Sequence, residues 1–168
     1  LILYNDIYQS MGWVLYAYHG LPYLASWDHN FPGIVYIHAL GIALFGNSDL
    51  GFRLVDTIFH IAIAATFYRL LRRWVSPLVS ALAVILLTSY YTGGQWDLVG
   101  QRDGYALFFL LLGALLLFRI RDRRIIGKST AMYSLLLGIA QSAAILMRPT
   151  YGLFAIAAGI LLLRLPKK

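Results

Sequence analysis

The sequence predicts an all-α membrane protein, a polytopic bundle of transmembrane helices with an extracytoplasmic loop carrying short interfacial helices. Three observations lead there. Of 168 residues, 60% are hydrophobic and only 12% charged, about half the charged share of a soluble domain, so polar surface is too scarce to cover a globule in water. The apolar residues fall into long runs, and mean hydropathy is +0.71, which makes lipid the expected solvent. The basic residues are grouped between those runs. Arg69, Arg72 and Arg73 form one patch, Arg119, Arg121, Arg123, Arg124 and Lys128 a second, and Arg164, Lys167 and Lys168 a third. That is the positive-inside pattern of a polytopic protein. It accounts for most of the formal charge of +7 without a nucleic-acid partner. With no Cys, disulfide and thiolate chemistry are excluded.

The elements follow in order. The chain opens on Leu1-Ile2-Leu3 without Met and closes on Leu165-Pro166-Lys167-Lys168, and reads as the N-terminal part of a larger membrane domain. Residues 4–53 form a first external loop, too polar and too broken by Pro22, Pro32 and several Gly to cross a bilayer. Within it, Asn5-Asp6 precede the apolar-aromatic run 7–18, and 34–45 has the length of an interfacial or re-entrant helix. Tyr and Trp are dense here, as befits side chains at headgroup depth. About five transmembrane helices occupy 54–163, at 54–71, 75–91, 105–118, 131–147 and 151–163. Pro77 suits the first turn of the second. The third and fifth fall short of the roughly 20 residues of a crossing. A second external loop covers 92–104, and Arg148-Pro149-Thr150 make a tight turn. With Asp6 outside the cytoplasm, every basic patch falls inside and all acidic residues but Asp122 lie at or near the outer face.

Several residues there could carry chemistry. Asp6 can be a general base on a hydroxyl, a metal ligand or a first-turn helix cap. Asp103, in Gly100-Gln101-Arg102-Asp103-Gly104, is open to the same two readings, active carboxylate or cap, and Arg102 beside it to anion ligand or interfacial anchor. Arg53 and Asp56, three residues apart on one helix face, are costly at membrane depth. They form either a structural pair or, through Arg53, a site for a lipid-linked phosphate. His60, one turn on, suits an interhelical hydrogen bond. His29 and His38 have no third ligand at zinc spacing, and no phosphate-cradling loop, nucleophile elbow or dinucleotide fingerprint occurs.

The order Asp6, Gly20-x-Pro22-Tyr23, Asp28-His29-x-x-Pro32-Gly33, Leu44-Phe45-Gly46 and Arg53-Leu54 resembles the first external loop of GT-C glycosyltransferases. The resemblance is to the branch of protein O-mannosyltransferases and lipid A aminoarabinose transferases. Gly100-Gln101-Arg102-Asp103 is similar to that family's second loop, and Arg148-Pro149-Thr150 adds a weaker likeness. Family members often carry Asp-Glu where this chain has Asp6-Ile7, and a double Pro where it has Phe31-Pro32. The resemblance implies an inverting transfer of sugar from a polyprenyl-phosphate carrier to an acceptor hydroxyl at the extracytoplasmic face, in the manner of a bacterial inner-membrane enzyme. It further implies that Asp6 is the base, that Asp103 is a second active-site carboxylate, that Arg53 neutralises the carrier phosphate, and that Asp28 and His29 shape the sugar pocket; Arg102, as an anion ligand beside Asp103, joins the expected substrate-binding residues. The partners implied are a lipid-linked sugar donor and the membrane. Two such carboxylates serve with or without a divalent cation, so the resemblance names no cofactor. The rival reading is a non-catalytic polytopic protein, a transporter or a lipid-carrier-binding subunit. Against it, Asp56, His60, Gln141 and a few hydroxyls are sparse for a polar relay through the spans.

Overall fold

The computed structural model describes residues 6–19, 24, 31–93, 100–123 and 128–163. Every regular element among them is helical: α1 (Asp6–Tyr18), α2 (Gly33–Phe45), α3 (Asp49–Leu71), α4 (Pro77–Thr92), α5 (Arg102–Arg123), α6 (Lys128–Met147), a 3-10 turn (Pro149–Tyr151) and α7 (Gly152–Leu163).

Local chemistry sets the boundaries. α2 stops at Gly46, whose N–H bonds to the Ile42 carbonyl at 2.8 Å and whose φ of 79° favours a residue without a Cβ. The chain then turns through extended Ser48, whose hydroxyl accepts from the Gly51 N–H at 3.1 Å and so satisfies a free donor of α3. Asp49 in that first turn complements the positive end of the helix dipole. Ser76 caps α4 in the same way, accepting from the Val79 N–H at 3.3 Å, with Pro77 opening the helix where no N–H is needed.

Helix bounds run close to the expected apolar runs; α3 starts earlier, at Asp49, and α5 differs most. Its apolar run is 105–118, but the helix extends over 22 residues, about 33 Å. Hydropathy ends the run too early because charged residues suit both helix ends. Asp103 favours the first turn, and Arg119 and Arg121, exposed near the other end, favour the carbonyl end and reach toward water on long stems. Three segments, Asp49–Leu71, Arg102–Asp122 and Thr130–Met147, are long and apolar enough to cross a membrane. α4 and α7, with 16 and 12 residues, rise only about 24 and 18 Å.

From α3 to α7 successive helices run antiparallel. The upper end holds the starts of α3 and α5, the end of α4 and the α6–α7 turn. The lower end holds Arg69, Arg72 and Arg73 at the end of α3 and Arg119 and Arg121 near the end of α5, tied by an Arg73–Asp122 ion pair at 2.6 Å; the Arg73 guanidinium also lies 4.7 Å from the Phe118 ring centre. α1 and α2 form an antiparallel pair. Gln9 donates to Asn47 Oδ1 at 3.1 Å, while Gly12 backs onto His38 and Ala39. α2 packs against α3, α5 and α6, and the residues it meets, Val55, Gly100, Leu146 and Met147, all belong to their upper ends. It therefore lies across the top of the bundle rather than through it.

The buried core sits at that junction: Met11, Ile34 and Val35 from the α1–α2 pair, Tyr105 and Ala106 from α5, and Met147 from α6. Below it, large apolar side chains point outward, among them Ile58 and Ile61 on α3, Leu82 and Leu86 on α4, Leu135 and Ile139 on α6, and Ile156 and Ile160 on α7. Such a surface suits hydrocarbon and not water. The buried interior carries Thr66, Ser80 and Gln141, and the first two spend their hydroxyls on carbonyls of their own helix.

A candidate active site at the upper end of the bundle

Asp103 stands in the first turn of α5, half exposed. Its carboxylate accepts from the Tyr151 hydroxyl at 2.8 Å and from Arg148 Nη1 at 3.3 and 3.4 Å. Both partners come from the α6–α7 turn, where Pro149 and the 3-10 conformation set Arg148 and Tyr151 on the side facing α5. A helix start, an arginine and a phenol thus hold the carboxylate in one orientation. A cap alone would need neither side-chain partner.

Asp56 is the other organised carboxylate, and it is buried at 7% exposure. The structure separates the two groups that spacing suggested as a pair. Arg53 Nε meets Asp49 Oδ2 at 3.0 Å, whereas Asp56 Oδ1 accepts from the Tyr91 hydroxyl and the Gly100 N–H, each at 2.9 Å. The i−4 partner wins for Arg53 because Asp49 is exposed while Asp56 faces the bundle interior, and an exposed pair there costs little desolvation. His60 also departs from expectation. Its Nδ1 lies 3.1 Å from the Asp56 carbonyl of its own helix, and its ring packs on Tyr91 of α4.

Gly100 joins this network to α2. Its φ is 69°, its N–H serves Asp56, and its backbone hydrogen-bonds His38. His38 is buried at 3% exposure, with its ring stacked on Phe52 at 5.3 Å between centres. Burial lowers its pKa to about 4, an effect the Gly100 bond only partly opposes. His38 is therefore neutral at pH 7. Because the unfolded chain binds that proton more readily, stability should fall as pH drops from the free-histidine value of 6.5 toward 4, by about 3 kcal/mol in all. Thermal unfolding of detergent-solubilised protein across that range checks this, and His38→Phe should flatten the dependence.

The remaining expected site residues distribute as follows. α1 begins at Asp6, one turn before Gln9, which ties this helix to Asn47 and Ser48 at the start of α3. The backbone of Asp6 thus belongs to the same end of the molecule as Arg53. Arg53 is half exposed, and its terminal nitrogens make no hydrogen bond among the described residues. Arg102 opens α5, half-buried, with no ion pair among those residues. Asp28 and His29 lie outside the described residues. Among the described ones, no group of three or more His, Asp or Glu is placed to hold a metal ion.

Between α3, α4 and α5 a groove of ≈ 320 Å³ opens beside Asp103. Ile63, Ala64, Leu87 and Leu107 make its deeper walls, and His60, Tyr91, Gln101 and Asp103 surround its mouth. Apolar depth beneath a polar rim is the shape of a site for an amphiphile. Sequence reasoning misses Tyr91 and Tyr151, since a lone Tyr in an apolar-aromatic run carries no mark of its partner, and it names Gly100 only as part of the Asp103 motif, without its bond to Asp56.

No curated protein and no solved structure matches this chain. Residues 28–168, by contrast, match the family described as dolichyl-phosphate-mannose-protein mannosyltransferase. That stretch holds the Arg53 helix start, the Asp103 carboxylate and the Arg148 turn, and runs through the helices long enough to cross a bilayer. The chain belongs to the dolichyl-phosphate-mannose-protein mannosyltransferase family, and is a multi-pass membrane protein of the GT-C glycosyltransferase type.

Proposed function

We propose that this protein transfers a sugar, with inversion, from a polyprenyl-phosphate carrier to an acceptor hydroxyl, and that the upper end of its bundle is the extracytoplasmic face. The observation that carries this reading is the oriented carboxylate of Asp103 at the mouth of an apolar groove. The start of α1 at Asp6 and the half-exposed Arg53 lie at the same end. Arg69, Arg72, Arg73, Arg119 and Arg121 at the opposite end support the orientation, since such a basic group belongs in the cytoplasm.

In this reaction an acceptor oxygen attacks the anomeric carbon as the bond from that carbon to the carrier phosphate breaks. The electron pair leaves with the phosphate, and the acceptor proton passes to Asp6. Asp103 orients the sugar or the acceptor, and Arg53, exchanging Asp49 for the phosphate, stabilises the charge that grows on the leaving group. Arg102 assists at the start of α5, and Asp28 and His29 have the role of sugar recognition. The carboxylates can act alone or with a divalent cation.

The test offers membranes containing the protein a panel of radiolabelled polyprenyl-phosphate sugars and follows label into acceptor material. Transfer from one donor is the expected result, and transfer from none would remove the proposal. Arg53→Ala should raise the KM for that donor about 10- to 100-fold, the loss of one charge-assisted contact of about 1.5–3 kcal/mol. Binding of the carrier without transfer would instead favour a lipid-carrier-binding subunit.

A further inference from the structure

We infer that Asp56 is a positioning residue for this reaction, fixing the start of α5 and thereby the Asp103 carboxylate through the backbone of Gly100. The inference rests on the reading of Asp103 as an active-site group and assigns a role to a residue outside the resemblance. A carboxylate at 7% exposure on an apolar helix is costly unless fully used. Asp56 spends one oxygen on two donors from different elements, the Tyr91 hydroxyl ending α4 and the Gly100 N–H preceding α5. Neither donor is a cation, so the geometry is that of an oxygen acceptor bridging backbone and phenol.

Gly100 is also fixed from other sides. Its φ is 69°, the Phe52 ring occupies the space a Cβ would need, and its backbone reaches His38. Three residues later comes Asp103, in the first turn of the helix that Gly100 introduces. In a first turn the carboxylate direction follows the helix start, and reaching Tyr151 and Arg148 requires that start to be held. A shift of about 1 Å at a reacting group costs on the order of 10²-fold in rate. Asp56 thus acts on turnover through Gly100, without touching substrate.

Two variants separate position from charge. Asp56→Asn keeps an oxygen at the same place and loses the charge. Asp56→Glu keeps the charge and moves the oxygen by one methylene. Expected are a kcat within about 3-fold of the unmodified protein for Asp56→Asn and a loss of about 10- to 100-fold for Asp56→Glu, with donor KM unchanged in both. In the unmodified protein the Gly100 amide should exchange slowly with deuterium.

A kcat for Asp56→Glu equal to or above that of Asp56→Asn, two unaltered variants, a loss confined to KM, or rapid exchange at Gly100 would each overturn the inference. If Asp56→Glu does not accumulate in membranes, Asp56→Asn and the exchange measurement decide, a kcat loss beyond about 10-fold in Asp56→Asn counting against it. Asp103→Asn run in parallel identifies which reading fails. Full activity there removes the role of Asp103, whereas an inactive Asp103→Asn with an unaffected Asp56→Glu removes only the role of Asp56.

Discussion

Replacing Asp6 by Asn is expected to lower the turnover of sugar transfer by about 10²–10⁴-fold, the usual contribution of a general base. Asn has the shape of Asp and can still accept a hydrogen bond, so α1 should form and its Gln9 contacts with Asn47 and Ser48 should persist. What Asn cannot do is take the acceptor proton. The loss should therefore appear in kcat, with little change in donor KM. The limb of the pH–rate profile that reports the base should disappear as well. The measurement is label transfer in membranes adjusted to equal amounts of inserted protein. Unimpaired transfer by Asp6→Asn would leave Asp6 as a first-turn acid of α1, worth only about 0.3–1 kcal/mol to that helix, and would move the search for the base to Asp103.

The helices are legible in the sequence because the chemistry that makes them is local. Pro77 and Ser76 mark the start of α4, Gly46 and Ser48 the α2–α3 turn, and the apolar runs the lengths. That 34–45 is too short to cross a bilayer follows from length alone, and the structure adds what length cannot say, that the helix lies across the upper ends of α3, α5 and α6. The ends of α5 are not legible from hydropathy, which counts Asp103 and the arginines as breaks although they suit helix termini. The site is legible at Arg53 and Asp103, where charge stands out against an apolar background. It is not legible at their partners. Spacing along one helix offers Asp56 to Arg53, but burial of one face decides otherwise.

A signal for the missed partners does exist in hairpin symmetry. Asp56 and Tyr91 lie equally far, in residues, from the turn at Arg73 and Trp74, and an antiparallel hairpin sets such positions side by side. Asp103 and Arg148 stand in the same relation to the break between α5 and α6. A carboxylate on one arm of a helical hairpin can therefore be matched, by residue counting alone, to the donor at the mirrored position on the other arm. Gly100 escapes this rule because it lies in a loop, where no helical register fixes its neighbours.

Gly100→Val is expected to destabilise the protein by about 2–6 kcal/mol. A β-branched residue held at the φ of 69° costs about 1–3 kcal/mol. The Phe52 ring, which fills the place of an added Cβ, must shift against its stack with His38, at a further cost of about 1–3 kcal/mol for overpacking. Gly138→Ala provides the contrast. That residue lies within α6 with nothing near an added Cβ, so the change should stabilise by about 0.5–1 kcal/mol through reduced backbone freedom in the unfolded chain. Thermal unfolding in detergent, read by helicity, checks both signs; a Gly100→Val as stable as the unmodified protein would mean that the loop relaxes freely around this point. Because Gly100 sits just ahead of Asp103 and holds the Asp56 bond, transfer activity in Gly100→Val should fall at temperatures where bulk helicity is still intact. Activity and helicity lost together would place Gly100 within the cooperative core of the bundle, whereas activity lost first would make the start of α5 a local unit whose order serves the site more than the fold.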